Sequence, residues 1–286
     1  MKIQLMSDLH LEAHPHWVPQ PASGADLLVL AGDVGSYQPG SQLLDADFGL
    51  ERFSLLSGWP TPVIFVPGNH EYDGLDFDVA HTRLKATCER LGITWLEREV
   101  LVSPWHDRSG RPVRLIGTTL WTDFDALGPQ GEAAGSMQAP SSANLLAQQL
   151  KSRDKAFRAA NYYLRKTGTT RHGEPFLAAQ IRSQALTCQA WLRHALGTPF
   201  DGTTVAITHF SPSLRSADPR YGLVPGTAGF CSQLDELLPQ AQLWLHGHLH
   251  APSNYVHEGC RVVANPLGYA RKNEQVHFTP CGTIEI

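Results

Sequence analysis

Short apolar runs, each closed by glycine or polar residues, recur along the chain. Their length and their content of valine, isoleucine and leucine predict β-strands. Because apolar positions are continuous in nearly all of these runs, we expect sheets that are covered on both faces. These runs occupy residues 3–6, 27–30, 63–66, 205–207 and 243–245. Further strands are predicted at 113–120, 261–264 and 283–286.

Helical periodicity fills the intervals between these runs. In residues 77–92, Leu84, Cys88 and Leu91 recur at helical spacing and form one apolar face. A second helix is predicted over 175–196, with proline at its start and glycine just after its end. A shorter helix is predicted over 230–238. Strands that alternate with helices indicate an α/β fold.

Residues 122–173 interrupt this alternation. Glycine, alanine, proline and serine dominate residues 128–142, which we interpret as a loop. Residues 143–166 then combine charges with leucine, phenylalanine and tyrosine at helical spacing. We interpret 122–173 as an insertion of a loop and a helix into a single domain that spans 1–286. The insertion either lies beside the functional site or is a surface excursion without a part in the chemistry.

Composition and charge exclude several classes of protein. The 286 residues are 42% hydrophobic and carry a net charge of −4, which predicts a large core and no general binding to nucleic acids. The five cysteines are odd in number and none has C-x-x-C spacing, which predicts reduced thiols. No segment has the pattern of a signal peptide or of a membrane span. We therefore expect a cytoplasmic protein without a membrane partner.

Metal-binding residue types follow the predicted strands. Asp8 and His10 are two residues apart at a strand end, so their side chains can face one site. Asp33 follows the second run, and its two carboxylate oxygens could bridge two cations. A cation would also balance the charge of a buried aspartate. Taken alone, Asp33 is better explained as the cap of a turn or helix.

The Gly-Asn-His-Glu block at residues 68–71 is more specific. Asn69 offers a neutral oxygen to a metal ion, whereas the adjacent His70 points elsewhere and is free to move protons. His209 ends the run at 205–207, and by itself it is more often a hydrogen-bonded core histidine than a ligand.

Three histidines within five residues, at 246, 248 and 250, are hard to explain by packing. His248 and His250 could face one site across a turn, with His246 behind them at the strand end. Oxygen and nitrogen ligands without a thiolate favour two divalent transition-metal ions, with manganese preferred and iron or zinc possible. The seven candidate ligands are Asp8, His10, Asp33, Asn69, His209, His248 and His250.

The ordered set D-x-H, G-D, G-N-H-E, a lone His and G-H-x-H resembles the calcineurin-like metallophosphoesterases over residues 8–250. The resemblance implies an α/β (α+β) fold in four layers, a sandwich of two β-sheets flanked by helices. It also implies that Asp33 bridges two metal ions and that His70 faces the leaving group. By the same resemblance, one ion is held by Asp8, His10 and His250, and the other by Asn69, His209 and His248.

The activity implied by the resemblance is hydrolysis of a phosphate ester by a hydroxide that the two cations share, with His70 protonating the departing oxygen. Phosphatases of the family carry arginines just before G-N-H-E and in an extended G-D block. Pro67 and Gly35 stand at these places here. The chain is therefore more similar to the bacterial phosphodiesterase branch, which predicts a small phosphodiester as substrate. A phosphomonoesterase and a non-catalytic scaffold of the same fold are the alternatives.

Candidate substrate contacts lie in the loop after His209. Arg215 and Arg220 could pair with a phosphate oxygen, and Tyr221 is adjacent to them. For each arginine, a solvated loop charge is at least as good an explanation. Residues 265–269 follow a predicted strand and could form a pocket wall. The sequence indicates no oligomeric state.

Overall fold

Thirteen strands, three α-helices and several short 3₁₀ helices make up the regular structure of the computed structural model, which describes residues 1–44, 46–129 and 141–286. The helices are α1 (Phe77–Leu91), α2 (Ser142–Thr167) and α3 (Ala178–Gly197). The strands are β1 (Lys2–Met6), β2 (Leu27–Ala31), β3 (Val63–Val66), β4 (Thr94–Trp95), β5 (Glu99–His106), β6 (Pro112–Thr118), β7 (Thr170–Arg171), β8 (Glu174–Pro175), β9 (Thr203–Thr208), β10 (Leu243–His246), β11 (Ser253–His257), β12 (Cys260–Ala264) and β13 (Thr283–Glu285).

Two large mixed sheets contain all strands except the β7–β8 hairpin. The first sheet has the order β13-β1-β2-β3-β4, in which β1 to β4 run parallel and β13 is antiparallel at the edge. The second has the order β11-β12-β10-β9-β6-β5, with four parallel central strands and an antiparallel strand at each edge. The parallel strands of each sheet therefore end at a common edge.

The sheets form a sandwich because alternate residues of each strand point to opposite faces. The inner faces make one apolar cluster that includes Ile3, Leu5, Val29, Ile64, Leu115, Val205, Ile207 and Leu245. The outer face of the first sheet packs with α1, and that of the second sheet with α3, in a second cluster that includes Leu30, Phe65, Leu84, Leu91, Ile116, Trp244, Ala185 and Leu192. This arrangement confirms the predicted four layers.

The ends of the helices follow local capping chemistry. The Asp76 carboxylate accepts hydrogen bonds from the first turn of α1, and Gly92 ends that helix in the left-handed conformation. The Ser141 hydroxyl accepts from Asn144 at the start of α2. Helix α3 begins at Ala178, three residues later than predicted, because Pro175 pairs with Thr170 in the β7–β8 hairpin.

The predicted helix over 230–238 is wrong. Cys231 forms a bridge with Ser211, and the Leu234 amide donates to the Pro212 carbonyl, so this backbone is bonded across to another segment and cannot continue as a helix. A 3₁₀ helix at Asp235–Gln240 buries the apolar side chains that produced the helical pattern. The edge strands β5 and β11 carried no clear apolar pattern, since about half of their residues face solvent.

Helix α2 lies where the sequence predicts a helix over 143–166. Most of the loop predicted over 128–142 lies outside the described residues, and the interpretation of 122–173 as an insertion into one domain stays a prediction. Within the described part of the chain, no helix has the length and apolar character needed to cross a bilayer. All five cysteines are free, which agrees with the prediction of reduced thiols.

Candidate metal centre

The polar blocks converge because five parallel strands end at facing edges of the two sheets. Strands β1, β2 and β3 lead to Asp8, Asp33 and Asn69, and β9 and β10 lead to His209 and His248. Close approaches between these segments require glycine, for example at Gly32 and Gly68. A Cβ atom at Gly32 would overlap the His209 ring, and one at Gly68 would overlap the Asp33 carboxylate.

Five of the candidate ligands have left-handed backbone. Their φ angles are 53° at Asp8, 45° at His10, 54° at Asp33, 71° at His248 and 49° at His250. Such angles are unfavourable for residues other than glycine, and they persist where the surrounding structure holds them in place. Backbone strain of this kind concentrates at functional sites. Its presence at these five residues supports a functional role for the sheet edges at which the parallel strands end.

Two groups of potential ligands share Asp33. One group consists of Asp8, His10, Asp33 and His250, and the other of Asp33, His209 and His248, with ligand atoms within 4.8 Å of one another in each group. The Asn69 amide oxygen lies 3.1 Å from His209 Nε2 and so adjoins the second group. The seven residues singled out from the sequence are thus brought together around one shared carboxylate.

The interatomic contacts fit cations at this place. His10 Nε2 faces His250 Nε2 at 3.0 Å, and His248 Nδ1 faces His209 Nε2 at 3.2 Å. Two imidazole nitrogens repel at such distances unless a proton or a cation lies between them. In addition, Asp33 Oδ2 and His248 Nε2 are buried and have no hydrogen-bond partner among the described residues. Carboxylate, imidazole and amide donors together suit divalent transition metals.

Each of three histidine rings is oriented by an acceptor on its far side. His10 Nδ1 donates to Glu12 at 3.0 Å, and His250 Nδ1 donates to Glu274 at 2.6 Å. His209 Nδ1 donates to the backbone carbonyl of Ala31 at 2.9 Å. In every case Nε2 is left to face the centre, the arrangement that metal-binding histidines usually show.

Glu71 joins the loops that carry Asp33 and Asn69. Its carboxylate accepts hydrogen bonds from the backbone amides of Gly68 at 2.7 Å, Val34 at 2.6 Å and Asp33 at 3.2 Å. Burial, with the nearby Asp33 charge, raises the pKa of Glu71 to about 8. The last residue of the Gly-Asn-His-Glu block therefore has a positioning role, because it sets the distance between two strand ends.

His70 belongs to neither ligand group. Its amide donates to Asp33 at 2.8 Å, and its Nδ1 donates to Asp73 at 2.5 Å. Burial lowers the pKa of His70, but the Asp73 and Asp33 carboxylates outweigh this effect and raise it well above its ordinary value. The ring remains 23% exposed, so the imidazole is held at the open side of the centre.

Comparison with known proteins agrees with this geometry. Residues 1–252 match the family model described as calcineurin-like phosphoesterase. The protein belongs to the calcineurin-like phosphoesterase family. As a member of this metallophosphoesterase family, it is expected to hold divalent metal ions, and the shared-aspartate arrangement above is a possible site for two of them.

Three relatives are similar over most of their length. The phosphopantetheinyl hydrolase PptH from Mycobacterium tuberculosis has the same fold, with a TM-score of 0.64 at 22% identity over 95% of this chain and 90% of that one. A dimetal phosphatase from Danio rerio aligns over 98% of this chain and 89% of its own, with a TM-score of 0.47 and 12% identity. The uncharacterized protein L509 of Acanthamoeba polyphaga mimivirus is 23% identical over 274 residues, 91% of this chain and 83% of that protein.

The candidate substrate contacts are engaged with acidic neighbours. Arg215 Nε donates to Asp235 at 2.9 Å. Arg220 pairs with Asp218 at 2.6 Å and lies over the ring of Tyr221, which is 63% exposed. The structure thus places both arginines on the loop after β9, and their contact with a substrate stays a prediction.

His246 lies behind the candidate ligands. It is fully buried, its Nε2 lies 3.0 Å from the Ser216 hydroxyl, and burial lowers its pKa to about 4. The ring is neutral and is hydrogen-bonded to Ser216, which agrees with a supporting position next to Gly247. A functional role for His246 stays a prediction.

Sequence reasoning missed several residues around the centre. Glu12 could have been found, because it lies two residues beyond His10 and so continues the period that relates Asp8 to His10. Glu274 and Asp73 carry no comparable local signal. The sequence indicates Tyr269 only as part of a pocket wall, whereas its ring stacks on His10 with centroids 4.2 Å apart.

Proposed function

We propose that this protein is a phosphodiesterase that uses two divalent transition-metal ions, with manganese favoured and iron or zinc possible. The observation that carries the proposal is the position of Asp33, which is common to both ligand groups. Its buried Oδ2 has no hydrogen-bond partner among the described residues and lies 3.2 Å from the candidate ligand His209. Two bound ions would supply Lewis acidity and a nucleophile at neutral pH. The side chains would hold one ion through Asp8, His10 and His250 and the other through Asn69, His209 and His248.

His70 is proposed to protonate the leaving oxygen. Asp73 occupies Nδ1, so Nε2 is available to a substrate on the exposed side. The contact with the Asp73 carboxylate favours the protonated form of the ring. Proton donation from a positioned side chain supports departure of an alkoxide, which is otherwise a poor leaving group.

The preference for diesters is inferred from the missing arginine positions of the phosphatase pattern. Pro67 and Gly35 stand where an arginine-bearing phosphatase pattern would place its motifs. Arg215 and Arg220 are already paired with aspartates. A diester carries one negative charge, whereas a monoester dianion carries two and needs more positive charge to hold it. A cytoplasmic location is part of the same proposal.

The deciding experiment compares bis(p-nitrophenyl) phosphate with p-nitrophenyl phosphate. Protein stripped with a chelator should be inactive, and manganese, iron or zinc should restore hydrolysis with a higher kcat/KM for the diester. A higher value for the monoester would identify a phosphomonoesterase. Hydrolysis of neither substrate by protein that has bound metal would indicate a scaffold. Asp33→Asn protein, purified in parallel, controls for contaminating phosphatases.

Natural substrates are then compared under the conditions that the first experiment defines. Cyclic nucleotides and other small diesters form the main panel. A phosphopantetheinyl ester is added because PptH shares the fold, a likeness that does not by itself select a substrate.

A further inference from the structure

The ring of Tyr269 lies against two candidate ligands, although Tyr269 belongs to neither ligand group. It stacks on His10 with the ring centroids 4.2 Å apart and an interplanar angle of 24°. It also meets His250 edge to face, with centroids 5.2 Å apart. On another side of His10, the His70 ring lies 5.0 Å away between centroids. The aromatic rings that contact His10 therefore include both Tyr269 and the proposed proton donor.

The backbone that carries Tyr269 is tied to the metal-binding loops. The Gly268 amide donates to the Asp8 carbonyl at 2.9 Å. The Tyr269 amide donates to a carboxylate oxygen of Glu274 at 2.9 Å, and the same oxygen lies 2.6 Å from His250 Nδ1. These contacts define the position of Tyr269 beside the centre without any help from its hydroxyl group.

The Tyr269 hydroxyl has no hydrogen-bond partner in the described part of the chain. The side chain is half-buried, and the hydroxyl is not among the wholly buried unpaired atoms, so it meets solvent. Other buried and half-buried tyrosines are paired: the Tyr72 hydroxyl lies 3.0 Å from His81 Nδ1, and the Tyr255 hydroxyl lies 3.0 Å from Ser216. Because a buried phenol usually finds a partner, an unpaired one at a polar centre is available to a ligand.

The hydroxyl is a neutral donor at neutral pH. The ordinary pKa of tyrosine, about 10, is already sufficient for this. Burial raises the pKa of Tyr269 above that value, and the carboxylates of Glu12, Asp33 and Asp73 raise it further. Asp33 is the aspartate common to both ligand groups, and Asp73 contacts His70, so the phenol lies within electrostatic reach of the centre.

Two cations lie over the same ring. Arg271 and Lys272 are 5.1 and 5.3 Å from its centroid, and both are exposed. Lys272 lies 3.8 Å from Glu274, whereas Arg271 has no carboxylate partner among residues 1–44, 46–129 and 141–286. Arg271 is therefore the competing candidate for contact with an anion at this place, and the test has to separate its charge from the Tyr269 hydroxyl.

We propose that the Tyr269 hydroxyl donates a hydrogen bond to a non-bridging phosphoryl oxygen of the substrate. The proposal rests on the function proposed above, because it takes a phosphate ester to be held at the centre. A neutral donor binds such an oxygen without adding charge, which suits the single negative charge of a diester. Tyr269 would thus supply a contact that phosphatases of the arginine-bearing pattern obtain from side chains absent here at Gly35 and Pro67.

The first test measures binding and does not require turnover. Diethyl phosphate, whose ethoxide groups leave slowly, is titrated by calorimetry into manganese-loaded protein. Tyr269→Phe removes the hydroxyl alone and should weaken binding about 10-fold, since hydrogen bonds to charged groups are the stronger ones. Its metal content should equal that of the wild type, because phenylalanine keeps the stack on His10.

A matched control removes a hydroxyl elsewhere. Tyr163 on α2 is 66% exposed, so Tyr163→Phe should bind diethyl phosphate like the wild type. Arg271→Ala tests the competing cation. Its effect should be smaller than that of Tyr269→Phe and should shrink as salt rises, because an exposed charge is screened. Circular dichroism and Tm show whether each variant is folded.

Kinetics separate substrate contact from proton donation. Tyr269→Phe should raise KM about 10-fold with a smaller change in kcat, because the bound substrate already makes the contact. The loss in kcat/KM should be the same for alkyl and p-nitrophenyl diesters, in contrast to His70→Ala. A larger loss for the alkyl diester would make Tyr269 a proton donor and overturn the proposed contact.

Four binding results would also overturn the inference. They are absence of diethyl phosphate binding by the manganese-loaded wild type, equal affinity of the wild type and Tyr269→Phe, loss of metal in Tyr269→Phe, and a loss of affinity in Arg271→Ala that exceeds the loss in Tyr269→Phe. Failure of the proposed function has a different signature. In that case the wild type hydrolyses neither nitrophenyl ester, while its binding of diethyl phosphate still depends on the Tyr269 hydroxyl.

Discussion

His250 Nδ1 lies 2.6 Å from a carboxylate oxygen of Glu274, although 24 residues separate the two in the chain. This contact turns His250 Nε2 towards the centre, where it lies 3.4 Å from Asp8 Oδ1. Glu274 also accepts from the Tyr269 amide at 2.9 Å, so its own position is defined from two sides. The contact with Glu274 raises the basicity of the His250 ring and fixes the orientation of this candidate ligand.

Glu274→Gln should therefore weaken metal binding. Glutamine keeps the size of the side chain but removes the charge that polarises the imidazole, and loss of such a partner typically costs about 10- to 100-fold in metal affinity or activity. Metal content after dialysis against graded chelator concentrations measures the effect. Glu258→Gln, at an exposed position, is the control. Unchanged metal affinity in Glu274→Gln would mean that the contact does not support a ligand.

Asp33→Asn should lower occupancy at both metal positions. Asn tolerates the left-handed backbone at φ 54° better than most residues, so the substitution mainly removes charge and one anionic oxygen. Asp8→Asn, at φ 53°, is the matched variant, because Asp8 belongs to one group alone. Elemental analysis should find near-empty protein for Asp33→Asn and about one ion fewer for Asp8→Asn. The same stoichiometry in the two variants would refute a bridging aspartate.

His70→Ala should keep its metal ions and lose rate. Proton donation is typically worth about 10²- to 10⁴-fold, so kcat should fall by about that factor with little change in KM. The loss should be larger for an alkyl diester than for a p-nitrophenyl diester, because p-nitrophenolate departs readily without a proton. Elemental analysis and the two rates are the measurements.

Asp73→Asn tests the role of His70 as proton donor through the residue that contacts its Nδ1. Because Asp73 bonds to His70 Nδ1, its loss should reduce kcat in the same direction and by a smaller factor, while metal content stays constant. Loss of a metal ion in His70→Ala would make His70 a ligand. An equal rate loss for both leaving groups would assign it to stabilisation of the phosphoryl group.

Asp125→Asn should loosen the attachment of α2. The Asp125 carboxylate accepts from Arg153 at 2.7 Å, Arg182 at 2.9 Å and Gln149 at 2.6 Å. These bonds outweigh partial burial and lower its pKa. At neutral pH the variant should lose about 1–3 kcal/mol in the free energy of unfolding.

The pH dependence of this loss follows from the direction of the pKa shift. A carboxylate with a lowered pKa in the folded state stabilises the protein above its unfolded pKa, and the contribution is lost as pH falls through the folded value. The difference between wild type and Asp125→Asn should therefore shrink in acid. Urea unfolding at several pH values measures it, with the exposed Asp154→Asn as control. A difference that is constant with pH would show that charge is not responsible.

The sequence pattern alone was sufficient to predict a strand where the strand is buried on both faces and its apolar residues are continuous. The runs before Asp33 and Asn69 are apolar at every position, and Gln4 is the one polar residue in the run before Asp8, so all three could be recognised as central strands of covered sheets. Strands β5 and β11 lie at sheet edges, where one side meets solvent and the apolar pattern is diluted. The apolar spacing at 230–238 fits one 3₁₀ turn as well as an α-helix, and backbone pairing with Ser211 decided between them.

The sequence by itself determined the family, the order of the polar blocks and the seven candidate ligands, because these features depend on residue type and on position after a strand. Tertiary structure alone decided that Asp33 is common to both ligand groups and that Glu274 orients His250. The reason is physical. Distances between side chains from different strand ends depend on how the two sheets pack, and no periodicity within one segment records that packing.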